Sequence, residues 1–241
     1  MPLILLPNAY GDAATNMAID ASLLYALPLG IAAFRHYGWT EPAITFGYTQ
    51  RLADVQAAAR LNQDLRLCRR LTGGGIVDHR NDWTYALAIQ AHLSAADIPA
   101  KELYTMLHRC VQNALEAQLI HTQLAPCQRA CEQADRQRAT APDQCFVHPS
   151  TDDVLRPDGT KIAGAAMKRA RQGLLIQGSI DRSALPEDFD YLIFCERFQQ
   201  QLSEALSLPI GTTEDLRTLF DSRRIEEERI RFESSKWLAK R

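Results

Sequence analysis

Apolar residues fall into two clear helical stripes. Around residues 12–26, Ala14, Met17, Ala18, Ala21 and Leu24 share a face, and Asp12 or Thr15 stands where a cap belongs. Around 100–119, Leu103, Leu107, Cys110, Val111, Ala114 and Leu115 recur at helical spacing. The pattern predicts further helices over 53–61, 187–206 and 213–239. The last is highly charged, with Leu216, Leu219, Phe220, Ile225, Ile230, Trp237 and Leu238 spaced for docking. Between the helices, β-branched and aromatic runs bounded by turn signals predict strands at 3–6, 31–37, 43–47, 66–70, 75–77 and 83–91. Residues 128–144 are polar and read as a mobile loop. A hairpin follows: Asp153–Leu155, the turn Pro157-Asp158-Gly159, then Lys161–Arg169. A second turn at Arg171-Gln172-Gly173 leads into Leu174–Ile180. Adjacent hairpins beside separate helices imply an α+β fold with a mixed central β-sheet flanked by helices. One domain over 1–241 is expected, with 185–241 as C-terminal helices packed on it.

Composition narrows the function classes. The 241 residues are 46% hydrophobic and 23% charged, enough for a sizeable core without disulfides. A net charge of −2 argues against a general nucleic-acid binder. The first residues, Met1-Pro-Leu-Ile-Leu-Leu-Pro, lack a basic leader and read as a strand, and no apolar run reaches the ~18 residues of a membrane span. The expectation is a cytoplasmic protein that neither enters membranes nor binds nucleic acid. Its six cysteines read as reduced, with Cys68, Cys110 and Cys195 as buried small hydrophobes. Cys127 and Cys131, near His121, Cys145 and His148, lack paired knuckle spacing, so no metal site is expected.

Candidate chemistry gathers in two segments. In Arg69-Arg-Leu-Thr-Gly-Gly-Gly75, three glycines leave a backbone that can lie directly against a ligand and offer bare N–H groups to an anion. Arg69 and Arg70 stand beside them with forked donors suited to phosphate or carboxylate. Neither a P-loop nor a dinucleotide fingerprint is present, and a tight turn is the plain alternative. In Lys161-Ile-Ala-Gly164, a lysine follows a Pro-Asp-Gly turn. Together the segments suggest a site for an activated acyl or phosphate-bearing ligand.

Four ordered blocks carry a family likeness. They are Asn16-Met-Ala-Ile-Asp20; Tyr37-Gly-Trp39 with Pro42 and Gly47-Tyr-Thr-Gln50; Arg69-Arg-Leu-Thr-Gly-Gly-Gly-Ile-Val-Asp-His79; and Asp158-Gly-Thr-Lys161-Ile-Ala-Gly164-Ala with Gly178-Ser-Ile180. The chain resembles the lipoate-protein ligase A and octanoyltransferase family, a catalytic domain similar to biotin protein ligases and class II aminoacyl-tRNA synthetases. The resemblance implies an enzyme that joins an octanoyl or lipoyl chain to a lysine of a lipoyl domain or glycine-cleavage H protein. It implies an apolar acyl tunnel, with the carbonyl beside Lys161 and the upper chain against Gly73–Gly75. Arg70, Thr72, Gly73, Gly74, Gly75, Ile76, Val77, His79, Gly164, Ala165, Gln177 and Gly178 are the acyl-binding positions it implies.

Cys145, sixteen residues before Lys161, resembles the nucleophile of the family's transferases, which draw octanoyl from acyl carrier protein or H protein through a thioester. On that reading no cofactor is permanently bound. The alternatives are an ATP- and Mg²⁺-dependent ligase, in which Cys145 is a bystander, and a non-catalytic acyl-binding protein. Gln177 stands where the family commonly has histidine, and Ala165-Ala166-Met167 where it often has Ser-Ala-Gln. Lys168, Arg169 and Arg171, with Arg69, Arg70 and Arg80, would form a basic rim for an acidic carrier or a phosphate.

Overall fold

The computed structural model describes residues 1–59, 65–126, 149–211 and 221–240. The elements, in order, are β1 (Leu3–Leu5), β2 (Ala9–Gly11), α1 (Ala13–Ala26), β3 (Ala32–Trp39), β4 (Ala43–Phe46), α2 (Leu52–Ala59), β5 (Arg66–Arg69), β6 (Ile76–Asp78), β7 (Asp82–Gln90), α3 (Ala100–Glu116), β8 (Gln123–Leu124), β9 (Val154–Leu155), β10 (Lys161–Ala170), β11 (Gly173–Asp181), α4 (Tyr191–Leu206), β12 (Ile210–Gly211), α5 (Ser222–Glu233) and α6 (Ser235–Leu238).

A nine-stranded sheet runs β12-β1-β3-β7-β11-β10-β9-β8, with β2 also on β3. Its β12-β1-β3 end and the β2-β3 pair are parallel and the rest antiparallel, so the sheet is mixed. A second, three-stranded sheet runs β5-β4-β6. β6 and β7, read from the sequence as strands joined by a turn, thus serve different sheets. Asp12 rather than Thr15 caps α1, accepting from Thr15 N at 2.7 Å.

Helices cover both faces of the large sheet, because alternate strand residues point to opposite sides. Phe34, Trp83, Leu87 and Ile176 face α3 and α4, where Phe194 and Phe198 complete the core. Ala33, Tyr37, Ala86 and Leu175 face α1, which Phe232 of α5 and Trp237 of α6 back. The predicted helix over 213–239 appears as α5 and α6, broken where Ser234 caps α6 at Trp237 N. Its residues 213–220 lie outside the described residues.

No helix among the described residues is long and apolar enough to cross a membrane. Cys68, Cys110 and Cys195 are buried free thiols, with burial holding Cys68 and Cys110 up at about 12 and Cys195 at about 11. They behave as the small hydrophobes the sequence suggested.

Candidate active site

A cavity of about 320 Å³ lies where the small sheet meets the α1 face of the large one. That is the lower end of the size range for small-molecule pockets. Arg70, Gly74, Gly75, Val77, His79, Lys161, Gly164, Ala165, Gln177 and Gly178 line it, so most of the sequence-derived positions converge. Thr72 stands behind Gln177, Gly73 lines an adjoining groove, and Ile76 belongs to a small core with Ile44, Phe46 and Val55.

Lys161 is held at one end. Its ammonium lies 2.7 Å from Asp153 Oδ2, and both side chains are buried. Asp153 Oδ2 also accepts from Ser150 N at 2.6 Å, and its Oδ1 from the Tyr104 hydroxyl at 2.6 Å. The Tyr104 oxygen in turn accepts from Ala165 N at 3.3 Å. Burial, with Asp153 beside it, pushes the Tyr104 phenol well up, so it stays a neutral donor. The result is a cation fixed in direction by a carboxylate that is itself held from α3, β10 and the turn before β9.

The glycine segment is shaped from behind. Gly74 has φ +86°, a conformation that favours glycine, and a Cβ on Gly47 would come 2.0 Å from Gly74 O. Arg70 Nη2 donates to the carbonyls of Gly73 and Gly75 at 2.9 and 3.0 Å, and Nη1 to Thr45 Oγ1 at 2.8 Å. Arg69, fully buried, donates to the carbonyls of Tyr48, Gln50 and Leu238. The Trp237 indole N–H returns a bond to Arg69 O at 2.9 Å. The sequence suggested forks turned to an anion; these bonds turn them onto the backbone of the cavity wall. Arg69 is therefore no part of a basic rim.

The expected apolar tunnel is corrected in one respect: many of its lining residues are polar. His79 Nδ1 pairs with Asp82 Oδ2 and Nε2 with Thr45 Oγ1, both at 2.7 Å, while its ring stacks on Trp39. Thr84 and Ser179 hydroxyls also donate to Asp82 Oδ2. Gln177 Nε2 donates to Asp20 Oδ2 at 2.7 Å, and its Oε1 accepts from Thr72 at 2.7 Å. Tyr37 OH donates to the same Asp20 oxygen at 3.0 Å, and Arg35 pairs with Asp20 Oδ1 at 2.9 Å. His79, Thr84, Ser179, Gln177 and Tyr37 thus direct these hydrogen bonds into the wall. The cavity surface is mixed, with Met17, Val77, Ala165 and Ala166 beside the polar side chains.

These networks give roles to residues whose chemistry the sequence left unassigned. Asn16 holds Arg35 through Oδ1 at 3.0 Å and ties Gly11 O and Gly38 O through Nδ2, which explains the first block. Burial raises the Asp20 carboxyl, against the pull of Arg35 and the hydrogen bonds of Gln177 and Tyr37. Gly178 makes room for Tyr85, whose hydroxyl would lie 2.3 Å from a Cβ there. Thr45, Tyr104, Thr84 and Asp153 were missed, because each is defined by a partner on a distant element. Cys145 lies outside the described residues, as do Cys127, Cys131, His148 and the polar tract 128–144. Among the described residues no His, Cys, Asp and Glu cluster could hold a metal.

Residues 12–204 match the family model of the lipoyl protein ligase A/B catalytic domain. An octanoyltransferase LipM of Kyrpidia tusciae is 30% identical over 188 residues, 76% of this chain and 67% of that protein. One from Oceanobacillus iheyensis is 31% identical over 183 residues, 74% of this chain and 63% of its own length. The chain therefore spans about two thirds of the length of the curated relatives it matches. A putative lipoate protein ligase from T. acidophilum, solved with bound lipoic acid, superposes with a TM-score of 0.74 at 16% identity, covering 99% of each chain. A lipoate-protein ligase A bound with ATP superposes at 0.72 and 16%, over 99% of this chain and 98% of that one. These solved structures share the fold.

Proposed function

We propose a function from one premise: the chain belongs to the lipoyl protein ligase A/B catalytic domain family. The reading is an acyltransferase of protein lipoylation. It moves an octanoyl or lipoyl group onto a lysine ε-amine of a lipoyl domain or glycine-cleavage H protein, in the cytoplasm where carrier-bound acyl groups are available. The observation that carries it is the ammonium of Lys161, fixed by Asp153 at one end of the cavity that the glycine segment and β10 enclose.

In this reading the acyl chain lies along the cavity with its carbonyl at Lys161. The ammonium donates to the carbonyl oxygen as negative charge develops there. The octanoyltransferase relatives support transfer of an octanoyl group, and the resemblance of the Cys145 segment supports a thioester route with Cys145 as nucleophile. Its thiolate attacks the carrier thioester and the carrier thiol leaves. The acceptor amine then attacks the enzyme thioester, loses a proton and releases the Cys145 thiol, leaving an amide.

The test is intact mass of an apo lipoyl domain incubated with the protein and either octanoyl carrier protein, or lipoate with ATP and Mg²⁺. Expected is an octanoyl mass gain without ATP that disappears in Cys145→Ser and in Lys161→Ala. A gain that needs ATP and survives Cys145→Ser overturns the thioester route in favour of ATP-dependent ligation. No gain in either mixture overturns the transfer reading and leaves an acyl-binding protein.

A further inference from the structure

Past Ala163, the outer edge of β10 carries no strand among the described residues. β9 pairs with β10 only at Lys161 and Ala163, whereas β11 pairs with it from Ala163 to Ala170. Ala165 N donates to the Tyr104 hydroxyl, so that N–H points away from β11. Backbone direction alternates along an antiparallel strand. Met167 and Arg169 therefore also turn their N–H and C=O groups outward. Ala165 C=O, both groups of Met167 and Arg169 N–H make a short row of donors and acceptors on the outer edge.

The same stretch lines an open groove of about 750 Å³, bounded by the first turn of α3 on one side and Gly73 and Gly74 on the other. The groove shares Gly74, Tyr104, Ser150, Ala165 and Ala166 with the acyl cavity, so it leads directly to the site of Lys161. Free strand edges template pairing with other chains and are usually covered. Here the edge lies in a groove that opens onto the site of Lys161.

We propose that this edge takes an extended segment of the acceptor protein as an added strand, with the acceptor lysine at its cavity end. The proposal rests on the transfer reading and names how its protein substrate is seated. Main-chain bonds to Met167 and Arg169 hold the segment whatever its side chains. Charge selects among segments: Lys101, on the groove at the start of α3, favours an acidic residue in the added strand. Asp152 is the carboxylate on the groove, and the Thr105 hydroxyl donates to it at 2.8 Å. Arg169 is held in place by bonds to the carbonyls of Ala96 and Ile98.

Hydrogen exchange on the full chain, alone and with a purified apo lipoyl domain, reads the proposal directly. The amides of Met167 and Arg169 should exchange freely alone and slow at least about tenfold in the complex. Protection already present in the chain alone, from its own residues or from a second copy, overturns the proposal. So does acylation of the domain with no slowing at these amides. Slowing without acylation supports the seating and overturns only the transfer reading. Met167→Pro removes an outward N–H and leaves the β11 ladder its donors. With a melting temperature like the parent's, it should raise KM for the domain about tenfold, a loss of about 1.4 kcal/mol of binding. An unchanged KM overturns the proposal, and the exchange measurement on the parent decides the matter if the variant melts early.

Discussion

Lys161 and Gly164 occupy one volume: a Cβ on Gly164 would sit 2.7 Å from the Lys161 ammonium and 3.1 Å from Asp153 Oδ1. The lysine head folds back over the bare α-carbon, so the spacing Lys-x-x-Gly is a packing requirement. Gly164→Ala should push the ammonium off Asp153 while leaving the strand intact. Acyl transfer should fall on the order of 10²-fold, with little change in melting temperature, because small displacements of a reacting group cost about that much. A variant with parental turnover would show that the ammonium need not sit there.

Asp153 accepts three hydrogen bonds while fully buried. Asp153→Asn keeps its volume but leaves the Lys161 cation without its carboxylate. Chemical denaturation should report a loss of about 3 kcal/mol, the scale for breaking one partner from a buried ion pair. Tyr104→Phe removes a donor to Asp153 and the acceptor of Ala165 N–H, and should cost about 2 kcal/mol.

His108 on α3 is fully buried, edge-on to the Tyr104 ring with centroids 4.2 Å apart. Burial pushes its pKa from 6.5 down to about 4. Between those values the unfolded chain binds a proton that the native chain refuses. Stability is therefore fully present above about pH 6.5, declines as pH falls, and this contribution is gone by about pH 4. The integrated effect is about 3 kcal/mol. Urea denaturation at pH 7 and at pH 4.5 should show a smaller drop in His108→Leu than in the parent. An equal drop in both would place the acid sensitivity elsewhere.

Gln177 donates to a carboxylate that burial already disfavours. Gln177→Glu would set a second carboxyl group against Asp20 and should destabilise the fold by about 3 kcal/mol at neutral pH. Acidification should narrow the gap between variant and parent as one carboxyl of the pair takes up a proton. Gln177→His keeps a donor for Asp20, so its melting temperature should lie nearer the parent's than that of Gln177→Glu.

The sequence was most legible where local periodicity and tertiary packing ask for the same thing. The stripe from Leu103 to Leu115 becomes the buried face of α3, and the Pro-Asp-Gly and Arg-Gln-Gly turns delimit β10 between its neighbours. The glycine run and Lys161 were visible as chemistry because their residue types are unusual. The short strands Ala9–Gly11, Gln123–Leu124 and Ile210–Gly211 were not foreseen, since two or three residues carry no period. Arg69 misled for a physical reason. A guanidinium that organises backbone carbonyls and one that binds an anion look alike in sequence, and only the fold says where the fork points. Asp20 stood inside an apolar helical run, which was a readable sign of a buried partner. Asp153 offered no such sign, since Tyr104 and Ser150 are brought to it by the fold.

The bond from Arg69 to the carbonyl of Leu238 spans 169 positions of the chain. A ribosome delivers Arg69, the glycines and Lys161 well before it delivers that carbonyl. Until α6 arrives, the arginine that fixes Tyr48 and Gln50 lacks one of its anchors, and the wall of the cavity is incomplete. Completion of that wall thus waits for nearly the whole chain. A nascent chain stalled before α5 would expose a half-made site to quality control while most of its sheet was already paired.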